Sequence, residues 1–266
     1  MIPLPHIVDI GAGRPIVFLH GWSARADFFA PQQALAGTDI RFIAPDLPGH
    51  GRNQCPGVPL TIGNLADALA GMLATLDLAG AVLVGWSMGA SVALDYLARH
   101  GAARAAGLVV VDMTAKVAND AQWTLGLRGG PTADDMMRAA VRMETHWTSY
   151  VERITPLMFA PSMRRDDPIY QRAAAAVAAN DGATMAGLWR SLAAADHRET
   201  IRRLDLPVLA IGGAQSQLYG PEVARWIARH ARNGRALSIA GAGHAPQLEA
   251  PDAFNAAVRA FVDALR

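Results

Sequence analysis

The sequence predicts one α/β domain whose mostly parallel sheet is interrupted by a single helical insertion. Three observations predict it. Short continuous apolar runs alternate with helix-like stretches from residue 7 to 111 and again from 206 to 265, the pattern of strands buried on both faces. Between about 116 and 204 no convincing strand occurs, only helical periodicity. At 81–89 the run Ala-Val-Leu-Val enters Gly85-Trp86-Ser87-Met88-Gly89 and leaves in an apolar-periodic stretch closed by Gly101. That is a strand, a sharp turn and a helix, the setting in which G-x-S-x-G marks a nucleophile elbow. The expected boundaries are 1–115 and 204–266 for the sheet domain and 116–203 for the insertion.

A chain of 266 residues, 52% hydrophobic, suits one large domain with a well-filled core. Alanine is much of that apolar content and leans helical. A net charge of +1 gives no reason to expect nucleic acid or an anionic membrane as partner. Lys116 is the only lysine, which reads first as a coding bias toward arginine. Cys55 is alone, in Cys-Pro-Gly-Val-Pro, so no intrachain disulfide forms and a reducing compartment is expected. The stretch MIPLPHIVDIGAGRP lacks the charged region and apolar core of a signal peptide. No run of 18 apolar residues is long enough to span a membrane. The expected location is cytoplasmic.

Taken in order, strands are expected at 7–10, 16–19, 41–44, 81–84, 107–111, 206–211 and 236–239. Helices are expected around 28–36, over 62–76 with Thr61 at its N-cap, after the elbow, at 221–231 and at 251–265. Inside the insertion, 134–143 and 170–179 read as helical. In open α/β sheets ligands sit at the carboxyl ends of the strands. A helical insertion placed there shapes a pocket and excludes water.

The chemistry-bearing residues fall at those ends. Ser87 has two readings: an N-cap for the helix that follows it, or a nucleophile. A bare G-x-S-x-G occurs by chance in roughly one chain in ten of this length, but the strand–turn–helix setting favours the nucleophile. The strained turn lifts the serine oxygen to the N-terminus of a helix, where the dipole favours an anion. His244 lies in Gly241-Ala242-Gly243-His244-Ala245-Pro246, just past the last strand. There it is placed to act as general base, taking the serine proton and returning it to the leaving group. The alternative is a loop histidine bonded to its own turn. His20-Gly21-Trp22 follows the strand expected beside the elbow strand. The backbone N–H groups of Trp22 and Met88 would converge on a substrate oxyanion. No metal-ligand spacing occurs, and Gly11-Ala12-Gly13 lacks the third glycine of a dinucleotide site, so neither metal nor cofactor is expected.

Through His20-Gly21-Trp22, DLPGHGR at 46–52, GWSMG at 85–89, the helical insertion and GAGHAP at 241–246, the chain resembles the α/β-hydrolases from nearly end to end. The pairing of HGW with GWSMG is similar to pimeloyl-[acyl-carrier protein] methyl ester esterases. The resemblance implies an α/β-hydrolase fold with residues 116–203 as a helical cap. It also implies a serine carboxylic-ester hydrolase that works through an acyl-enzyme. Such hydrolases usually carry their triad acid after the strand read at 206–211, three residues past a glycine. Here that place holds Ser216, and no carboxylate appears before Glu222. Asp112, ending the preceding strand, is the replacement the resemblance offers, as in haloalkane dehalogenases and certain lactonases. A dehalogenase is disfavoured because the nucleophile position holds Ser87. Lactone opening, perhydrolysis and a non-catalytic ligand receptor stay open on the same fold. Between Arg138 and Arg165 five arginines face only Glu144 and Glu152. They form either a solvated helix face or a docking site for an acidic carrier protein.

Overall fold

Strand pairing follows the apolar runs. β1 (Ile7–Gly11), β2 (Arg14–Leu19), β3 (Ile40–Pro45), β4 (Ala81–Trp86), β5 (Ala105–Val111), β6 (Val208–Gly213) and β7 (Gly234–Ile239) form one sheet in the order β1-β3-β2-β4-β5-β6-β7. In this computed structural model, which describes residues 6–55 and 57–265, β1 is antiparallel to β3 and the other pairings are parallel. Residues 1–5, which begin the stretch read for a leader, and Pro56 of the Cys55 loop lie outside the described residues. Among the described residues no helix is long and apolar enough to cross a membrane.

Alternation along each strand divides the core between two faces. Val17, Leu83, Leu108, Val110 and Val208 pack with α1 (Ile62–Thr75), α2 (Met88–His100) and, later in the chain, α8 (Pro221–His230). Ile16, Phe18, Val82, Val84, Val109 and Val111 face the other way, toward Phe28, Phe29 and the C-terminal α10 (Pro251–Asp263). Each such side chain contributes about 1.5–3 kcal/mol on burial. α1 starts as expected: Thr61 accepts from the Asn64 N–H while the Asn64 side chain accepts from the Thr61 N–H. The helix expected around 28–36 is a 3-10 segment, Ala26–Leu35, kinked at Phe29 and containing Pro31. Proline has no N–H to give to an α-helical ladder.

The chain leaves β5 at Val111 and returns to the sheet at Val208, and the segment between is helical. It holds α3 (Ala133–Thr145), α4 (Trp147–Ile154), α5 (Pro168–Ala178), α6 (Gly182–Ala194) and α7 (Arg198–Arg203). α3 and α5 fall at the two stretches read individually as helices; α4, α6 and α7 lie elsewhere in the same segment of helical periodicity. Register aligns Leu19 with Gly85 and Trp86 with Val111. The turns that follow β2, β4 and β5 therefore emerge side by side, bringing His20, Ser87 and Asp112 to one edge of the sheet.

Candidate active site

Ser87 sits between β4 and α2 with φ 52° and ψ −123°, a conformation that L residues adopt only at a cost. The two flanking glycines make the turn sterically feasible. A Cβ on Gly85 would lie 2.4 Å from the Ala90 Cα, and one on Gly89 would lie 2.0 Å from the Leu19 carbonyl oxygen. The Ser87 N–H donates to the Val111 carbonyl at 2.9 Å, tying the turn to β5. Ser87 occupies the N-cap position of α2, yet its side chain makes no cap hydrogen bond. The hydroxyl is not spent on the helix, which removes the capping reading.

Asp112, Ser216 and His244 meet beside it. Asp112 follows β5 directly, with φ 40°, and its N–H donates to the Ile211 carbonyl at 2.7 Å. Its Oδ1 accepts the Gly213 N–H at 3.1 Å. Its Oδ2 accepts His244 Nδ1 at 2.7 Å and the Ser216 hydroxyl at 2.6 Å. A carboxylate only accepts, so Nδ1 carries the proton and Nε2 is the free nitrogen. All three side chains are buried. The His244 carbonyl accepts Trp86 Nε1–H at 2.7 Å, and the Trp86 and Tyr219 rings stand 5.5 and 5.9 Å from the imidazole. Burial, and then the Asp112 charge, hold the Tyr219 hydroxyl far above its usual titration range, so it stays neutral.

Two supporting residues were not legible as such. Glu249 ends the short helix α9 (Pro246–Glu249) and accepts the N–H groups of Gly243, Ala245 and Ala160 at 2.9, 3.3 and 2.7 Å. It therefore clamps the histidine loop to the helical insertion. Burial raises its proton affinity, and the three N–H bonds oppose that rise. Its only sequence signal is a lone carboxylate shortly after the glycine-rich histidine loop. His20 does the same for the turn after β2: Nε2 accepts the Leu47 N–H and Nδ1 donates to the Gly21 carbonyl, both at 2.9 Å. Burial pulls its pKa down to about 4, so the ring is neutral and keeps that tautomer. The turn it holds closes on the elbow, where a Cβ on Gly21 would lie 3.2 Å from the Ser87 Cβ.

Met88 follows Ser87 in the chain, and Trp22 lines the same cavity as Ser87. Met88 is the first residue of α2, so its N–H has no intrahelical acceptor. Among the described residues no backbone acceptor takes the Trp22 N–H either. The Trp22 indole donates to the Met185 carbonyl at 3.0 Å, joining the sheet edge to α6.

Ser87 and His244 open into one cavity of about 340 Å³. Its floor comes from the sheet edge, through Trp22, Trp86 and Tyr219, and its roof from Met136, Tyr150, Met158 and Trp189 of the insertion. Burial pushes the Tyr150 hydroxyl up to about 12, so it too stays neutral. Arg128 and Arg142 stand exposed at the rim. The arginine-rich segment is more balanced than its composition implies, because Asp135 and Asp166 lie just outside it. Arg138 pairs with Asp135 at 2.6 Å and Arg164 with Asp166 at 2.5 Å. Among the described residues Arg142, Arg153 and Arg165 have no ion pair.

Known proteins resemble the chain over nearly its whole length. The chain is 29% identical over 263 residues to the pimeloyl-[acyl-carrier protein] methyl ester esterase of Stenotrophomonas maltophilia (strain R551-3), covering 98% of this chain and 97% of that protein. It is 27% identical over 259 residues to the AB hydrolase superfamily protein YisY of Bacillus subtilis (strain 168), covering 96% of this chain and 94% of the relative. The structure of the esterase EaEST from Exiguobacterium antarcticum superposes with a TM-score of 0.89 at 22% identity, over 97% of this chain and 95% of that one. At that identity the likeness speaks to the fold. The sequence profile of the alpha/beta hydrolase family matches residues 16–257, and the chain belongs to that family.

Proposed function

We propose that the protein is a serine carboxylic-ester hydrolase working through an acyl-enzyme, with Ser87 as nucleophile, His244 as base and Asp112 as acid. The observation that carries this reading is the 2.7 Å bond between Asp112 and His244 Nδ1. It leaves Nε2 free on a ring that lines the same cavity as Ser87. Ser87 Oγ attacks the ester carbonyl carbon as Nε2 takes its proton. The carbonyl oxygen becomes an oxyanion held by the Trp22 and Met88 N–H groups. Collapse breaks the bond to the alcohol, which leaves with the proton from Nε2. Water then gives a proton to Nε2 and attacks the acyl carbon. The acid departs and the proton returns to Ser87. Asp112 holds the imidazole in the working tautomer and stabilises its charged form.

Residues 116–203 serve as the cap, roofing the cavity with apolar side chains that exclude water. The same cavity suits an apolar acyl chain. A carrier-protein-linked methyl ester is the finer reading, supported by the unpaired Arg142 at the rim and by the name of the Stenotrophomonas relative. The lone Cys55 supports a reducing, cytoplasmic setting. The test is a fluorophosphonate probe with intact-mass analysis, run beside turnover of a short-chain p-nitrophenyl ester. One adduct on Ser87 and measurable turnover are expected, both lost in Ser87→Ala. A protein that binds esters without labelling or turnover is a receptor, and the proposal fails.

A further inference from the structure

We propose that Ser216 is a positioning residue for the acid of this site. Its hydroxyl fixes the Asp112 carboxylate and draws charge from the oxygen that faces His244. The inference rests on the serine-hydrolase reading above and assigns a role to a residue outside that mechanism.

The argument starts from the bonding capacity of a hydroxyl, one proton and two lone pairs. The Ser216 oxygen accepts the N–H groups of Leu218 and Tyr219 at 3.3 and 3.2 Å. Backbone N–H groups only donate, so they occupy the acceptor side. The proton is then directed to Asp112 Oδ2, 2.6 Å away. Ser216 is itself pinned, because its N–H donates to the Gly213 carbonyl at 3.1 Å. The backbone between β6 and α8 thus sets the O–H direction before any substrate binds.

Two effects on the carboxylate follow. The first is orientation. Gly213 N–H holds Oδ1 and Ser216 O–H holds Oδ2, so the carboxylate plane is fixed independently of His244. The second is electrostatic. Bonds from donors to an anionic oxygen are charge-assisted, and this one falls on the oxygen that His244 also uses. The hydrogen bond from Ser216 leaves less charge on Oδ2 to stabilise an imidazolium, so removing the hydroxyl is expected to move the acid limb of activity.

The other titratable groups that face the pair are Tyr219 from the same loop and Glu249 from α9. Asp135, Arg128 and Arg142 stand farther out along the cavity. All are common to the variants below, so their influence cancels in the comparison.

The experiment is the pH profile of kcat/KM for a short-chain p-nitrophenyl ester, measured for the unmodified protein, Ser216→Ala and Ser216→Thr. Ser216→Ala is expected to lower kcat about 10-fold with KM within twofold. Its acid limb is expected to move up by ~0.5 pH unit. Ser216→Thr, which keeps the hydroxyl, is expected to return the limb to its original position. An acid limb that does not move in Ser216→Ala overturns the proposal and leaves Ser216 a turn residue. If Ser216→Ala does not fold, Ser216→Cys is read in its place against the same two outcomes, since a thiol is a weak donor of similar size. Ser87→Ala runs alongside: turnover that survives there rejects the acyl-enzyme reading itself. Turnover lost in Ser87→Ala with an unmoved limb in Ser216→Ala rejects only the role of Ser216.

Discussion

Asp112 has a φ of 40° and a side chain that takes three donors, from Gly213, Ser216 and His244. Strain at such a residue persists only where its surroundings over-determine it, and here they do. The side chain that replaces it must therefore fit the same three donors. In Asp112→Asn the shape is kept, but an amide NH₂ toward His244 Nδ1 favours the wrong imidazole tautomer. Ester turnover is expected to fall by ~10³–10⁴-fold with KM little changed. A loss under about 10-fold would move the acid elsewhere. Ser87→Ala is expected to cost ~10⁴-fold or more while the protein still folds, measured by the same assay and by thermal melting. These residues differ in how legible they are. Ser87 and His244 announce themselves through flanking glycines. Asp112 emerges only because no carboxylate follows β6 before Glu222. Ser216 is noticed in sequence as a missing acid. Its bond to Asp112 spans 104 residues, and no local pattern encodes it.

At the scale of elements, the apolar strands are legible because burial on both faces demands continuous branched and aromatic residues. The elements that escape are those where local propensity and tertiary packing disagree. α6 is hidden by Gly182 and Gly187, which lower helix propensity. Packing explains the first of them: a Cβ on Gly182 would lie 2.7 Å from the Met143 carbonyl oxygen. The signal that was available is Asp181 as N-cap, accepting the Thr184 N–H at 2.8 Å. The segment from Ala26 to Leu35 misleads in the opposite sense, since its apolar spacing reads as a helix that Pro31 and the kink at Phe29 prevent. The elbow itself makes a sharp stability prediction. A Cβ at Gly89 meets backbone, the Leu19 carbonyl at 2.0 Å, and no side-chain rotation relieves it. Gly89→Ala is expected to cost about 3 kcal/mol or more. At Gly241, with φ 76° but open space around it, alanine is expected to cost only about 1 kcal/mol. Thermal melts of the two variants check the ordering, and equal costs would mean that the elbow backbone gives way more easily than its contacts imply.

The whole molecule carries a pH dependence of stability written by histidines that fold neutral. His20, His50 and His197 are buried, and burial lowers their pKa values to about 4, about 3 and about 4. His50 is lowered further by His20, whose ring centroid is 5.0 Å away. For a base with a depressed folded pKa, the unfolded chain binds more protons wherever pH lies between the folded and unfolded values. Stability is then complete above about 6.5 and is lost as pH falls toward about 4. Glu249 and Asp95 act in the opposite direction. Burial raises their folded values, so the native state gains protons first as pH falls through their range. Three histidines against two carboxylates, one of them only half-buried, leave the histidine sign in control. Each histidine is expected to remove about 2 kcal/mol at pH 5 relative to pH 8. Urea unfolding at pH 8, 7, 6 and 5 is the measurement, with falling midpoints and an unchanged m-value as the expected outcome. His197 separates this linkage from any effect at the site, since its Nε2 is buried without a partner and its backbone N–H donates to the carbonyl of Ala115, just before the insertion. In His197→Gln the loss between pH 8 and pH 5 is expected to shrink by roughly one third. A pH dependence that is flat in the unmodified protein, or undiminished in His197→Gln, would mean that these rings are hydrated and titrate freely in the folded state.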